Sequence, residues 1–253
     1  AKKGIIRALK SEVQDDIYFM QQIAVIDGME VQGCTYANHG QVSPLALKQN
    51  PNVIKFLEEH WKIQPWVVEH CVKHDGMLLG YFNEEFRKNS EIVMMSVKQN
   101  GMSIDYADNP ARFDLDICME AIKQNPHSCQ YMNFDIKELE FTIVNMDGLT
   151  LKYMRKNLDR NIILDGLSQN GLALQYAYKF DVGVDFEMIE TAVKQNPEAY
   201  QFVKDDMKTN EKILEIVLKT NGLMLEYAPP EIKRDLKWCK MAFFSNKKAI
   251  EFV

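Results

Sequence analysis

The chain has 253 residues, of which 46% are hydrophobic, and its 30 Lys and Arg against 36 Asp and Glu give a net charge of −6. This composition supports a buried core and excludes a mainly disordered chain. The acidic balance argues against a protein whose whole surface binds nucleic acid or anionic lipid, because such binding depends on clustered Lys and Arg. No apolar stretch approaches the roughly 18 residues that would cross a bilayer.

The cysteines indicate a reducing environment. There are five of them, an odd number, and they are widely spaced in a chain too large to need disulfide bonds for stability: Cys34, Cys71, Cys118, Cys129 and Cys239. We therefore expect the cysteines to be free thiols and the protein to have an intracellular, cytoplasmic location, with delivery into a host cell as an open alternative. No secretory signal is visible at the start, although a leader already removed stays open because the chain lacks an initiator Met.

One short motif recurs along the chain, most clearly as Lys-Gln-Asn followed by Gly or Pro. Its Asn or Asp, which we call the anchor, recurs every 22 to 26 residues. A period of about 24 residues is typical of stacked structural repeats. The ten anchors are Asp27, Asn50, Asp75, Asn100, Asn125, Asp147, Asn170, Asn196, Asn221 and Asn246.

The residues before each anchor predict an α-helix, which we call helix A. Positions −8 and −3 relative to the anchor are apolar in all ten copies, and position −4 is small or apolar. These positions share one face of a helix of roughly eight to eleven residues. Small residues at −4 would let a neighbouring helix come close.

The residues after each anchor predict a tight corner and a shorter helix, helix B. Gly follows the anchor in six copies and Pro in three. Asn-Pro fits an N-cap with proline in the first turn, and Asn-Gly fits a left-handed residue that closes helix A. Position +4 is apolar in all ten copies, and position +6 is aromatic in nine. Core packing is the preferred interpretation of these rings, with a stacking platform for bases or peptides as the alternative.

Helices this short are marginal alone, and a unit of about 24 residues cannot bury its own apolar face. The sequence therefore predicts an all-α fold, an α-solenoid of about ten helix-turn-helix repeats. We expect a single helical-repeat array over residues 1–253, and a place within a longer protein stays open.

The motif resembles a family of short tandem helical repeats of unknown function, found in intracellular bacterial pathogens, protists and large DNA viruses. The matching residues are Val97 to Gly101 with Tyr106 and Ala107, Gly171 to Ala177, Ala192 to Pro197, and Gly222 to Ala228. The copies at Asp27, Asp147 and Asn246 depart from it by losing the Lys and Gln. The resemblance implies a helical-repeat interaction scaffold and carries no catalytic residues.

Polar residues just before the anchors form the candidate partner-binding set, which we call the corner ladder. Its lysines, at position −2, either interact with the dipole and last carbonyls of helix A or form a cationic row that binds acidic peptides or a phosphate backbone. The corner ladder comprises Lys48, Gln49, Lys73, Lys98, Gln99, Lys123, Gln124, Lys194, Gln195 and Lys219.

One cluster carries potential metal ligands. His70 and His74 stand at i and i+4 on one helical face and could bind zinc, with His60 or Cys71 recruited. Because His74 and Cys71 also occupy ordinary columns of the repeat, a structural role is preferred, and no metal or other cofactor is predicted.

Catalytic signatures such as HExxH, the Walker loop, GxGxxG and GxSxG are absent, so no catalytic residue is assigned and the chain is not expected to be an enzyme. Cys118 and Cys129 fall in apolar columns and are expected to be buried. The predicted function is a scaffold that binds a protein or peptide through an extended solenoid face, without a membrane partner. The alternatives are a reader of single-stranded nucleic acid and a structural zinc site at His70 and His74.

Overall fold

A computed structural model of the protein describes residues 16–132 and 137–253. These residues form α-helices, 3₁₀-helices and connecting turns, with no β-strand among them, which confirms the predicted all-α class. Within the same ranges, none of the helices is both long enough and apolar enough to span a membrane. The chain divides into two compact units, residues 1–133 and residues 134–253.

An α-helix ends at every anchor, as the repeat predicts. Within residues 16–132 and 137–253 there are ten such A helices, nine of ten residues and one of seven. Five belong to each compact unit. They are α1 (Ile17–Ile26), α2 (Ser43–Gln49), α3 (Pro65–His74), α4 (Ser90–Gln99), α5 (Leu115–Gln124), α6 (Lys137–Met146), α7 (Arg160–Gln169), α8 (Phe186–Gln195), α9 (Glu211–Thr220) and α10 (Leu236–Ser245).

Helix B is a 3₁₀-helix that starts directly after the anchor. Positions +1, +4 and +7 lie on one side of such a helix because it has three residues per turn, and Gly101, Ile104 and Ala107 are accordingly all buried. In the seventh repeat the 3₁₀-helix passes into a short α-helix, Leu174–Ala177. In the part of the chain that the structure describes, the ten B helices are Gly28–Val31, Pro51–Lys55, Gly76–Tyr81, Gly101–Tyr106, Pro126–Tyr131, Gly148–Tyr153, Gly171–Ala173, Pro197–Phe202, Gly222–Tyr227 and Lys247–Phe252.

Short helices also occupy several connections between one B helix and the next A helix. These are α-helices at Glu59–Lys62, Glu84–Lys88, Asp205–Lys208 and Pro230–Arg234, and a 3₁₀-helix at Ala111–Phe113.

Each anchor ends one helix and begins the next. At Asn100 the backbone N–H donates to the Ser96 carbonyl and closes α4, while the side-chain Oδ1 accepts from the Met102 N–H at 3.0 Å. The backbone there is extended, with φ −150°. Asn and Asp suit this position because a short side-chain oxygen can bond the N–H two residues on.

The predicted left-handed glycine at the Asn-Gly corners is wrong. Among the described residues only Gly33 and Gly183 have a positive φ, and neither follows an anchor. The chain turns at the extended anchor itself, so the next residue needs no left-handed conformation. The corner glycines serve close packing instead.

The core follows the predicted columns. Position −3 is buried in nine repeats and position +4 in nine, with Phe243 and Ile250 of the tenth repeat as the exceptions. Cys118 and Cys129 are buried, as expected. The position +6 rings are not core residues, because three are exposed and the other six are only partly buried. Tyr106 illustrates their packing, since its ring covers Gly80 of the preceding repeat so closely that a Cβ there would lie 2.7 Å from it.

Candidate functional site

The glutamines of the corner ladder bind the backbone of the preceding corner. The Gly76 N–H donates to Gln99 Oε1 at 2.6 Å, and Gln99 Nε2 donates to the His74 carbonyl at 3.1 Å. One side chain of α4 thus satisfies the first free N–H of a B helix and the carbonyl of the last residue of α3, groups that helix ends leave unpaired. We call this pair of bonds the Gly–Gln latch.

The first of these bonds recurs after every Gly corner. The N–H of the corner glycine donates to the residue just before the next anchor, at 2.6 to 2.7 Å for the glutamines and 3.1 Å for a serine. Each bond joins consecutive repeats of one compact unit. The pairs are Gly28 with Gln49, Gly76 with Gln99, Gly101 with Gln124, Gly148 with Gln169, Gly171 with Gln195, and Gly222 with Ser245.

The corner glycine is required because the next A helix passes directly over it. A Cβ on Gly28 would lie 2.5 Å from the Ala46 carbonyl oxygen, and Gly101 faces Ala121 in the same way. The facing residue, at position −4 of the next helix, is Ala, Ser or Gly after every Gly corner. Two small residues therefore bring backbone against backbone.

The Pro corners break the latch. Proline has no N–H to donate, and the residue before the next anchor is not Gln after any of them but His74, Met146 or Thr220. Position −4 of the following helix is also larger, namely Cys71, Ile143 or Val217. Within each unit the A helices pack less closely across a Pro corner, as α2 and α3 or α8 and α9 do, than across a Gly corner. The array thus contains two kinds of junction between repeats.

The lysines of the corner ladder project into solvent. All six are exposed, and four carry an acidic partner one turn back on their own helix. The N–O distances are 3.1 Å for Lys73 with Glu69, 4.0 Å for Lys123 with Glu120 and 2.8 Å for Lys194 with Glu190, and Lys219 pairs with Glu215. Such i,i+3 and i,i+4 pairs, whose lysines are exposed, contribute little to stability, but they place positive and negative groups side by side at the corners.

The structure gives His70 a partner inside the repeat. Its Nε2 lies 3.1 Å from the Leu47 carbonyl oxygen of the preceding helix, while His74 is exposed at the end of α3. In residues 16–132 and 137–253 no group of three or more His, Cys, Asp and Glu is placed to hold a metal ion. Zinc binding by the two histidines stays the less favoured alternative, which metal analysis of the purified protein can test.

A shallow cleft of about 440 Å³ lies between α9 and α10. Its walls combine charge and exposed apolar surface, with Lys219 of the corner ladder at its edge. The lining residues are Lys219, Lys237, Met241, Phe244 and Ser245.

The buried cysteines have little nucleophilic character. Burial raises the pKa of Cys71 to about 12, and burial together with the Asp114 carboxylate raises that of Cys118 to about 11. The pKa of Cys239 is also raised, first by burial, but its side chain is partly accessible. Since the thiolate is the reactive species, all three resist attack at neutral pH.

We expect a thiol reagent at pH 8 to modify Cys239 first and to leave Cys71 and Cys118 unmodified until the chain unfolds. Mass spectrometry of the labelled peptides checks this order, with the urea-unfolded chain as the control; early labelling of Cys71 would contradict it.

The raised pKa values of Cys71 and Cys118 also make stability depend on pH. Because both folded pKa values exceed 9.0, the contribution of these thiols to stability is complete below pH 9 and declines as the pH rises towards 11 and 12.

Two regions of the chain match a family profile described as "Domain of unknown function (DUF4116)", at residues 67–110 and 185–233. The first match starts within α3 and includes α4, and the second includes α8 and α9, so each covers about two of the repeats. No curated protein and no solved structure matches the chain significantly. The chain is thus similar, over these two regions, to a family whose function is unknown.

Proposed function

We propose that the protein is an α-solenoid scaffold that binds a protein or peptide partner along its corner ladder. Within each unit, consecutive repeats pack through residues at the same positions relative to the anchor. One family profile matches two regions of the chain, which is consistent with a repeated unit. A frame of this kind positions side chains at regular intervals on one edge and needs no enclosed pocket.

The observation that carries the proposal is the charge pattern of the exposed lysines. Lys73, Lys194 and Lys219 are exposed, yet each lies beside a glutamate of its own helix. A strip of paired positive and negative groups complements the mixed surface of a protein, whereas a phosphate backbone requires uncompensated cations. The paired carboxylates therefore favour a protein or peptide over nucleic acid.

The glutamines contribute to this function indirectly. Gln99 and Gln195 accept from a corner N–H of the preceding repeat and donate to a carbonyl at the end of the preceding A helix. These bonds fix the spacing of consecutive corners and hence of the lysines beside them. Binding specificity is then assigned to the lysines and their acidic neighbours.

The test compares two variants as baits in extracts of the native cell. In the first, the six ladder lysines become Gln: Lys48, Lys73, Lys98, Lys123, Lys194 and Lys219. In the matched control, six exposed lysines elsewhere become Gln: Lys55, Lys88, Lys156, Lys204, Lys240 and Lys248. We expect only the ladder variant to capture less partner, by about tenfold, because several charged contacts are removed together.

Equal capture by both variants would exclude the corner ladder as the binding surface. Retention of a random single-stranded RNA pool at moderate salt, lost in the ladder variant, would replace the protein-binding function with nucleic-acid binding. Thermal unfolding of both variants checks that they keep the fold, so that a difference in captured partner arises from the changed surface. Because the replaced side chains are exposed, we expect both variants to remain folded.

A further inference from the structure

Repeats three to five form one closely packed block within unit 1. The Gly76 N–H donates to Gln99 of α4, and the Gly101 N–H donates to Gln124 of α5, so these bonds join α3, α4 and α5. Pro corners lie on both sides of the block. Because each Gly corner brings backbone against backbone, neighbouring A helices lie near the lower end of the usual interaxial range of about 8–10 Å. This spacing places α3 and α5 about 16 to 18 Å apart.

The segments that lead into these three A helices are acidic. Each segment, defined by positions −18 to −9, contains the connection after a B helix and the first two residues of the next A helix. Residues 57–66, 82–91 and 107–116 together contain eight Asp and Glu against four Lys and Arg, a net charge of −4. The four corresponding segments of repeats seven to ten have nine acidic residues against eleven basic ones. The excess of negative charge is therefore a feature of this block and not of the repeat as such.

The basic residues of these segments are already paired within the chain. The ion pairs are Lys62 with Glu59, Arg87 with Asp108, Lys88 with Glu84, and Arg112 with Asp105. By contrast, Glu85, Glu91 and Asp116 are exposed, and none of them has an ion-pair partner among residues 16–132 and 137–253. Glu91 and Asp116 suit the N-termini of α4 and α5, and their charge stays available to a partner.

Large apolar side chains flank these carboxylates. Ile63 and Trp66 lie at the start of α3, Phe113 and Leu115 lie at the start of α5, and each is 41% to 52% exposed. Ile63 and Phe113 occupy position −12, where the other described copies hold a polar residue or a less exposed apolar one. Single exposed apolar residues are common, but four on one edge of three packed repeats indicate an interaction surface. We call these four residues, together with Glu91 and Asp116, the lead-in face.

We propose that the lead-in face binds a basic segment of a partner protein, one that carries Lys or Arg between two bulky apolar side chains about 16 to 18 Å apart. One apolar side chain packs on Ile63 and Trp66 and the other on Phe113 and Leu115. The basic residues between them face Glu91 of α4. An amphipathic α-helix covers this distance in about eleven or twelve residues.

This surface is distinct from the corner ladder. The lead-in face lies at the N-terminal ends of α3 to α5, whereas the ladder lysines lie at the C-terminal ends of the same helices. A ten-residue α-helix separates its two ends by about 15 Å. The two surfaces also have opposite chemistry, since the carboxylates of the ladder are paired with lysines and those of the lead-in face are free to bind cations.

Fluorescence anisotropy of a labelled peptide tests the lead-in face on the full chain. The probe is a synthetic peptide of about eighteen residues that contains only Leu and Lys, with the leucines on one face of a helix. We expect this peptide to bind, and to bind more weakly as salt screens the charges. The same peptide with Glu in place of every Lys should not bind, because like charges repel.

Two charge variants locate the contact. Glu91→Lys combined with Asp116→Lys should weaken binding of the Leu–Lys peptide at least about tenfold. The matched control, Glu198→Lys combined with Glu226→Lys, changes the net charge equally at exposed positions of unit 2 and should alter binding by less than about twofold, because distant charges are screened.

Two apolar variants test the other half of the surface. Phe113→Ser combined with Leu115→Ser should weaken binding about tenfold, because an apolar anchor is lost. Val182→Ser combined with Phe244→Ser is the matched control at exposed apolar positions outside the face and should leave binding unchanged. Circular dichroism checks that all four variants keep the fold.

Tryptophan fluorescence gives a second readout of the same contact. Trp66 is exposed, whereas Trp61 and Trp238 are buried. Emission should therefore shift to shorter wavelength when the peptide covers Trp66. The Trp66→Phe chain should bind the peptide without this shift.

Several outcomes would overturn the proposal. A wild-type chain that does not bind the Leu–Lys peptide does so, and so does an equal loss in both charge variants, because binding would then follow net charge alone. Self-association of the chain that is lost in the Glu91 and Asp116 variant would replace the partner protein with the lysines of a second copy. The six-lysine ladder variant should keep full peptide binding, so a failure here is distinguishable from a failure of the corner ladder.

Discussion

Replacing Gly101 by Ala is expected to lower the free energy of unfolding by about 3 kcal/mol, the upper part of the usual range for forcing a group into a close-packed interior. The new Cβ would overlap the Ala121 carbonyl oxygen and lie 3.1 Å from the Ala121 carbonyl carbon. Both atoms belong to the backbone of α5, so no flexible side chain can move aside. The loss exceeds the small gain that Gly-to-Ala changes bring through the unfolded chain.

Gly40→Ala is the matched control for this substitution. A Cβ at Gly40 meets no atom within 4 Å, and its φ is not positive. Its free energy of unfolding should therefore equal the wild-type value or slightly exceed it. Urea unfolding followed by circular dichroism measures both variants. Equal stability of the Gly101 and Gly40 variants would contradict the close approach of α5 to the preceding corner.

The regular part of this fold is predictable from the sequence because burial repeats in columns. Apolar residues at −8 and −3 and an anchor at each corner fix where every A helix lies and ends. Val97 and Asn100 show how directly this works, since one is fully buried and the other caps two helices. Such features depend on local periodicity and on the chemistry of single residues.

The apolar pattern does not show whether helix B is an α-helix or a 3₁₀-helix. Buried residues at +1 and +4 fit one turn of either helix type, and the 3₁₀ form becomes evident only with the capping geometry of the anchor. The rings at +6, Tyr81 and Tyr106 among them, consequently lie at the edge of a tight helix rather than inside it. Their aromatic character predicts that the rings pack against other residues, but it does not predict how far each ring is buried.

The role of the corner glutamines required a comparison between neighbouring repeats. Gln stands before an anchor only where the preceding corner holds Gly, as with Gln99 and Gly76, and is absent where that corner holds Pro, as with Thr220 and Pro197. This covariation is visible in the sequence. It acquires a physical meaning only once the two positions, 23 residues apart, are joined by a hydrogen bond.

Replacing Gln99 by Ala is the second substitution with a large expected effect, a loss of about 2 kcal/mol in the free energy of unfolding. The change leaves the buried Gly76 N–H without its acceptor at 2.6 Å and the His74 carbonyl without its donor. Gln130→Ala is the matched control, because Gln130 is an exposed glutamine that donates only to His127 of its own B helix. Urea unfolding should place that control within about 0.5 kcal/mol of the wild type.

Thr220→Gln examines the same rule from the opposite side. The residue before that anchor follows the Pro197 corner, which has no N–H to donate to a new amide. The free energy of unfolding should stay within about 0.5 kcal/mol of the wild-type value. A gain as large as the loss in Gln99→Ala would show that glutamine stabilises this position without any latch.

Gln99→Glu separates the two bonds of the latch. A carboxylate still accepts from the Gly76 N–H, but it cannot donate to the His74 carbonyl and it adds negative charge at the C-terminus of α4. We therefore expect a stability between those of the wild type and the Ala variant at pH 7. Slower hydrogen exchange at the Gly76 amide in the Glu variant than in the Ala variant would locate the retained bond. If both variants exchange equally fast there, the N–H does not depend on the side chain of Gln99, and the junction is held by backbone packing alone.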